Sequence, residues 1–211
     1  GDSIIAFDQP SYKNWFEKLS NQSDSSVKNL DDYKSIIIKY LDRFSDAGCK
    51  LADHSLDSGF DFEPVPETTA SGIFSNLING IQPDASELEQ LKYHILFFLS
   101  QQYAKRNWTL QLHIGALRFT SSRLRKLAGP AGGYATIGNS CKIHKLCLFF
   151  DELEKMELLP KIILYTLNPA DNEAFAVLIG SFSEDGVPGK IQFGPGWWYN
   201  DQYEGIRQHL S

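Results

Sequence analysis

The sequence has little sulfur and no surplus of positive charge. Its three cysteines, Cys49, Cys141 and Cys147, cannot all pair with one another and form no CxxC. That excludes a disulfide framework and a zinc ribbon, and predicts reduced, largely buried thiols in a cytoplasmic protein. Lys and Arg total 20 against 26 Asp and Glu, a formal net charge of −6, with no local basic cluster. A nucleic-acid partner would need the opposite footprint. No apolar run approaches the roughly 18 residues of a membrane span. The opening GDSIIAFDQPSYKNW lacks the basic and apolar regions of a signal peptide. There is no GxGxxG after the first strand, no Walker or GxSxG motif, and no HxH or HExxH spacing. Dinucleotide, P-loop and nucleophile-elbow chemistries therefore lack support, and no metal site can be assembled.

Hydrophobic residues make up 42% of the chain and charged residues 22%, a balance that can bury a substantial core. Helical spacing predicts helices over 10–19, 30–44, 68–81, 85–105, 142–156 and 201–210, and one beginning at Pro169 behind an Asn168 N-cap. Strands are expected over 50–55, 109–114, 161–167 and 190–193; KIILYTL reads as a strand buried on both faces. The segments 20–26, 58–67 and 129–140 read as loops, the last long and exposed. After residue 49, strands alternate with helices, which argues for a parallel sheet with right-handed crossovers. Residues 1–48 form a helical segment preceding it. The fold class is α/β: about four βα units, residues 49–211, half of a (β/α)8 TIM-like barrel.

Polar residues gather where these strands end, the edge that carries active sites in parallel α/β folds. Asp53 and His54 are neighbours in a strand, so only one can face a barrel interior. His113 shares a face with Gln111, opposite Leu110, Leu112 and Ile114. Two inward polar residues suggest either a ligand site or a hydrogen-bonded core. Arg118 lies beyond Gly115; its planar fork suits a carboxylate or phosphate, and a surface ion pair is the plainer alternative. In FGPGWWYNDQ, Trp197 is equally consistent with a sugar-pocket wall and with packing, whereas Trp198 leans toward packing. His94 and His144 fall within helices and read as structural or solvated.

Together LADHSLD, WTLQLHIGALR, ILYTLNPADNE and PGKIQFGPGWWYNDQ resemble the uronate (glucuronate) isomerase family, in that family's order, from about residue 49 to residue 205. The resemblance implies a distorted (β/α)8 barrel of the amidohydrolase superfamily. It implies reversible aldose–ketose isomerisation of D-glucuronate to D-fructuronate and of D-galacturonate to D-tagaturonate. Carried onto this chain, Arg118 holds the uronate, His113 hydrogen-bonds its oxygens, Asp53 moves protons and Trp197 lines the site. The family holds a divalent metal, expected to be zinc in the full-length parent, on an HxH pair of the first strand and an Asp of the last. Neither is present here, nor are a His–Tyr pair and an Arg of the early strands. The chain thus resembles barrel strands four to seven, as in a truncated polypeptide, a proteolytic product or an incomplete gene. It is expected to bind no metal and to have no isomerase activity alone. The expected partner is a small sugar acid, with no nucleic acid and no membrane. A non-catalytic carbohydrate-binding or assembly module and a metal-dependent hydrolase of the same superfamily are the alternatives.

An open half barrel exposes two edge strands and one apolar sheet face. Either a second copy covers them, giving a homo-oligomer, or the chain is only marginally stable. Light scattering behind size-exclusion chromatography checks this; a stable, monodisperse monomer contradicts it.

Overall fold

Period-two alternation organises the sheet. The computed structural model describes residues 2–21, 27–56, 59–129 and 132–210. Helices α1 (Tyr12–Asn21) and α2 (Leu30–Asp46) precede strand β1 (Leu51–Leu56). There follow α3 (Glu67–Ile78), α4 (Ala85–Lys105), β2 (Thr109–Ile114), β3 (Ala116–Leu117), α5 (Ser122–Ala128) and β4 (Thr136–Ile137). The chain continues through α6 (Ile143–Lys155), β5 (Lys161–Thr166), α7 (Asn172–Ser181), β6 (Ile191–Phe193) and α8 (Tyr203–Leu210). Four strands form a parallel sheet in the order β1-β2-β5-β6. Side chains of alternate residues therefore lie on one face across the whole sheet.

The helix-side face is apolar and closed. Leu56, Leu110, Leu112, Ile114, Ile162 and Leu164 are all buried. The other face is half open: Gln111, His113, Ile163 and Tyr165 are partly exposed and Asp53 is exposed. This corrects two expectations. KIILYTL is buried on one face only, because among the described residues no second layer of helices covers Ile163 and Tyr165. The uncovered face is largely polar rather than apolar, carrying Asp53, Ser55, Gln111 and His113.

Local signals explain the helices. In α4, Asp84 accepts from the Glu87 amide at 2.9 Å, and the Glu87 carboxylate accepts from the Asp84 amide at 2.8 Å. This reciprocal cap fixes the start of the helix. Its stripe Leu91, Ile95, Leu96 and Leu99 is buried against the sheet and α6. Asn29 caps α2 by accepting from the Asp32 amide at 2.8 Å. The helix expected at Pro169 opens with a 3-10 turn over Pro169–Asp171, and its α-helical part begins at Asn172. The N-terminal helices share the sheet's core: Phe7, Tyr12, Leu30 and Tyr33 belong to the same buried cluster as Leu110 and Leu164. Before α1, Asp2 accepts the Ser55 amide at 2.8 Å, occupying part of the outer edge of β1.

The expected loop over 129–140 is tied down: β4 pairs antiparallel with β3, and Tyr134 is buried. Residues 130–131 of that loop, 22–26 of the first and 58 of the second lie outside the described residues. Cys141 is buried, but Cys49 and Cys147 are only partly so; all three thiols are free. No helix among the described residues is long and apolar enough to cross a membrane.

His54 points away from Asp53 into the helix layer and is fully buried. The Tyr103 hydroxyl, kept protonated by burial, and His54 Nε2 are hydrogen-bonded at 2.8 Å. The other ring nitrogen, Nδ1, is buried and has no hydrogen-bond partner among the described residues. Burial pushes the imidazole from its ordinary value of 6.5 down to about 4. The unfolded chain takes up this proton below about pH 6.5 while the folded chain does not, so stability falls from there to about pH 4. We expect a loss of about 3 kcal/mol across that window, reduced in His54→Gln. Urea unfolding at stepped pH measures it.

Candidate functional site

The parallel register brings three strands' inward residues together near their carboxyl ends. Asp53 pairs with Gln111, one step below the Ser55–His113 pair, and His113 pairs with Tyr165. His113 Nδ1 and Asp53 Oδ1 are 2.7 Å apart. A carboxylate offers only acceptors, so Nδ1 is the donor and Nε2 is left as the second functional nitrogen. The imidazole side chain is 14% exposed and the carboxylate 61% exposed. Tyr165 stacks flat on the imidazole, with centroids 4.4 Å and planes 5° apart. Trp197 meets the same ring at 4.6 Å and 55°. Burial, then the Asp53 charge, pushes the Tyr165 phenol up, so it stays protonated.

Gly115 turns the chain out of β2. Its φ of +96° lies in the left-handed region, which a side chain would strain. The Gly138 amide then donates to the Gly115 carbonyl at 2.7 Å, folding β3 and β4 over the sheet end. This flap carries Arg118, whose guanidinium lies 4.6 Å from the Trp198 ring. Arg118, Phe119, Tyr134, Trp198 and Tyr199 line a hollow of about 460 Å³. Phe119 and Trp198, at φ +59° and +49°, both hold left-handed backbone there. Bulky residues pay of order 1–3 kcal/mol each for it, a cost that clusters at functional sites.

Two asparagines fasten these loops. Asn168 accepts from the Ala170 amide at 3.1 Å, and its amide donates to the Gly138 carbonyl at 3.2 Å. Buried Asn200 donates to the carbonyls of Thr166 and Leu167 at 3.3 and 3.0 Å, hanging the tryptophan loop on the end of β5. Tyr199 donates to the Ala135 carbonyl, joining that loop to the flap.

The sequence candidates therefore fall into two linked groups. Asp53 and Trp197 each touch His113 directly. Arg118 joins them through the paired indoles, whose centroids are 4.7 Å apart. Trp198 is not packed beneath the next helix; it is 39% exposed and carries Arg118 on its face. His144 is exposed, while His94 lies 3.1 Å from both Lys34 and Glu67 between helices. Sequence reasoning missed Tyr165 and Asn200. Tyr165 was accessible by parity, since it lies across from His113 once the strands are aligned; nothing local marked Asn200. Among the described residues no group of three or more His, Cys, Asp or Glu is placed to hold a metal ion.

Replacing Asn200 with Ala strands two strand-end carbonyls. We expect a loss of about 1–3 kcal/mol, read by thermal unfolding, with a red-shifted tryptophan emission as the loop loosens.

Comparison with known proteins completes the site. The glucuronate isomerase family matches the chain over residues 1–211. The uronate isomerase of Thermotoga maritima is 26% identical with a TM-score of 0.88, covering 99% of this chain and 44% of its own. The glucuronate isomerase of Caulobacter crescentus is 22% identical, TM-score 0.85, over 99% of this chain and 42% of its own. A uronate isomerase from Bacillus halodurans shares the fold at 13% identity and TM-score 0.66. The chain thus spans less than half the length of these relatives and matches part of their barrel-like fold. With a match that runs from end to end of the sequence, the chain belongs to the glucuronate isomerase family.

Proposed function

We propose that these strand ends form part of a uronate isomerase active site, interconverting D-glucuronate with D-fructuronate and D-galacturonate with D-tagaturonate. The observation that carries this reading is the Asp53–His113 bond, held at the carboxyl ends of parallel strands with Trp197 against the imidazole. Aldose–ketose isomerisation moves a proton between adjacent carbons through an enediol. It needs an acid/base group, a donor for the developing oxyanion and an anchor for the sugar's acid.

Each residue has a part. Asp53, the more exposed partner, moves protons during ring opening and isomerisation. It also holds His113 in the tautomer that leaves Nε2 to accept from a sugar hydroxyl. Arg118 grips the carboxylate, its guanidinium oriented by the Trp198 face. Trp197 supplies an apolar wall for one sugar face. The divalent metal, expected to be zinc in the full-length parent, does not fit these residues: Asp53 and His113 supply only two donors, and Nδ1 is already committed. No step here runs through it. Free thiols support a cytoplasmic location, and a second copy remains the proposed partner for the open sheet.

The test is a barrel completed by supplying the remaining strands of the Thermotoga maritima enzyme, assayed for conversion of D-glucuronate by NMR. We expect turnover that falls about 10²-fold or more in His113→Asn, a raised KM in Arg118→Met, and no turnover by the 211-residue chain alone. Unchanged kinetics in both variants would refute the assignment.

A further inference from the structure

We propose that Tyr165 is a positioning residue that sets the plane of the His113 imidazole, and that position 194 is glycine to make room for the Tyr165 ring. The inference rests on the reading of His113 as the group that meets the sugar oxygens. The Asp53 bond fixes where Nδ1 points but leaves the imidazole able to tilt about that bond. The flat contact with Tyr165, 4.4 Å between centroids and 5° between planes, removes that tilt. Trp197 leans on the ring at 55° and so constrains a different direction. With Nδ1 bonded to Asp53 and two aromatic rings against the imidazole, Nε2 is the polar atom left, and it makes no hydrogen bond among the described residues.

Gly194 is needed for a different reason from Gly115. Its backbone is not left-handed, so turn geometry does not require glycine there. A Cβ at position 194 would instead lie 2.6 Å from Tyr165 Cδ1 and closer still to Cε1. Such an approach is well inside carbon–carbon contact. The backbone cannot retreat easily, because the Gly194 amide donates to the Leu164 carbonyl at 2.7 Å and continues the β5–β6 ladder. The ring would have to yield, and His113 lies on its other side. The contact is made by the ring, so the hydroxyl is dispensable for it.

The experiment uses the 211-residue chain, with the His113 ring protons assigned by comparison with His113→Asn. Stacked on a phenol face, these protons shift upfield in the NMR spectrum. We expect the shift to persist in Tyr165→Phe and to vanish in Tyr165→Leu. Gly194→Ala should reduce it, yet change nothing further in the Tyr165→Leu background, because both act through one ring. In a titration with D-glucuronate, Tyr165→Phe should bind like the parent and Tyr165→Leu about tenfold more weakly. An upfield shift retained in Tyr165→Leu, or lost equally in Tyr165→Phe, overturns the proposal. If D-glucuronate does not bind even the completed barrel while the shift pattern holds, the positioning role stands and the uronate reading falls.

Discussion

The register of the parallel sheet is the constraint from which the site follows. A slip of one residue between β1 and β2 would turn Asp53 or His113 to the opposite face and break their bond. The register is enforced from behind. Leu110, Leu112, Ile114, Ile162 and Leu164 are fully or almost fully buried against the helices, and a slip would expose part of that set. The energy that orients the polar pair thus comes from apolar contacts on the other face of the sheet. His113 is thus held in place by Leu112 and Ile114, its buried neighbours on either side in the chain.

The rim obeys a different logic. Among the described residues, none of β3, β4 or residues 197–200 belongs to the main buried cluster. Asn200 ties the tryptophan loop to the last carbonyls of β5, Asn168 just past β5 donates to the Gly138 carbonyl of the flap, and Tyr199 ties loop and flap to each other. Amide side chains suit this task because the last carbonyls of a parallel strand have no further strand to serve. The left-handed backbone of Phe119 and Trp198 is tolerable only because these bonds leave the chain no alternative. Sheet and rim therefore divide the work, the first supplying rigid placement and the second a shaped mouth.

Much of this was legible in the sequence. The boundaries of α4 and β2 follow directly from the Asp84 cap and from the alternation in TLQLHI. Alternation also separated Asp53 from His54. It failed for KIILYTL, where a run of apolar letters hid a face that helices never cover. Composition also misjudged 129–140: its glycines signalled a free loop, but Gly138 is there so that its backbone can approach Gly115. Asn200 and Tyr165 act across 33 residues and across a strand pair respectively. Such contacts exist only once the fold exists, so no local pattern announces them.

Asp2 sits where a further strand would attach. By accepting the Ser55 amide it stands in for one rung of a neighbouring ladder. Any chain zipping onto β1 must first evict a tethered carboxylate that is always at hand and needs no encounter to return. The sheet's flank is thereby guarded by competition rather than by a wall, and accretion of stray strands along it is opposed by a carboxylate of the same molecule.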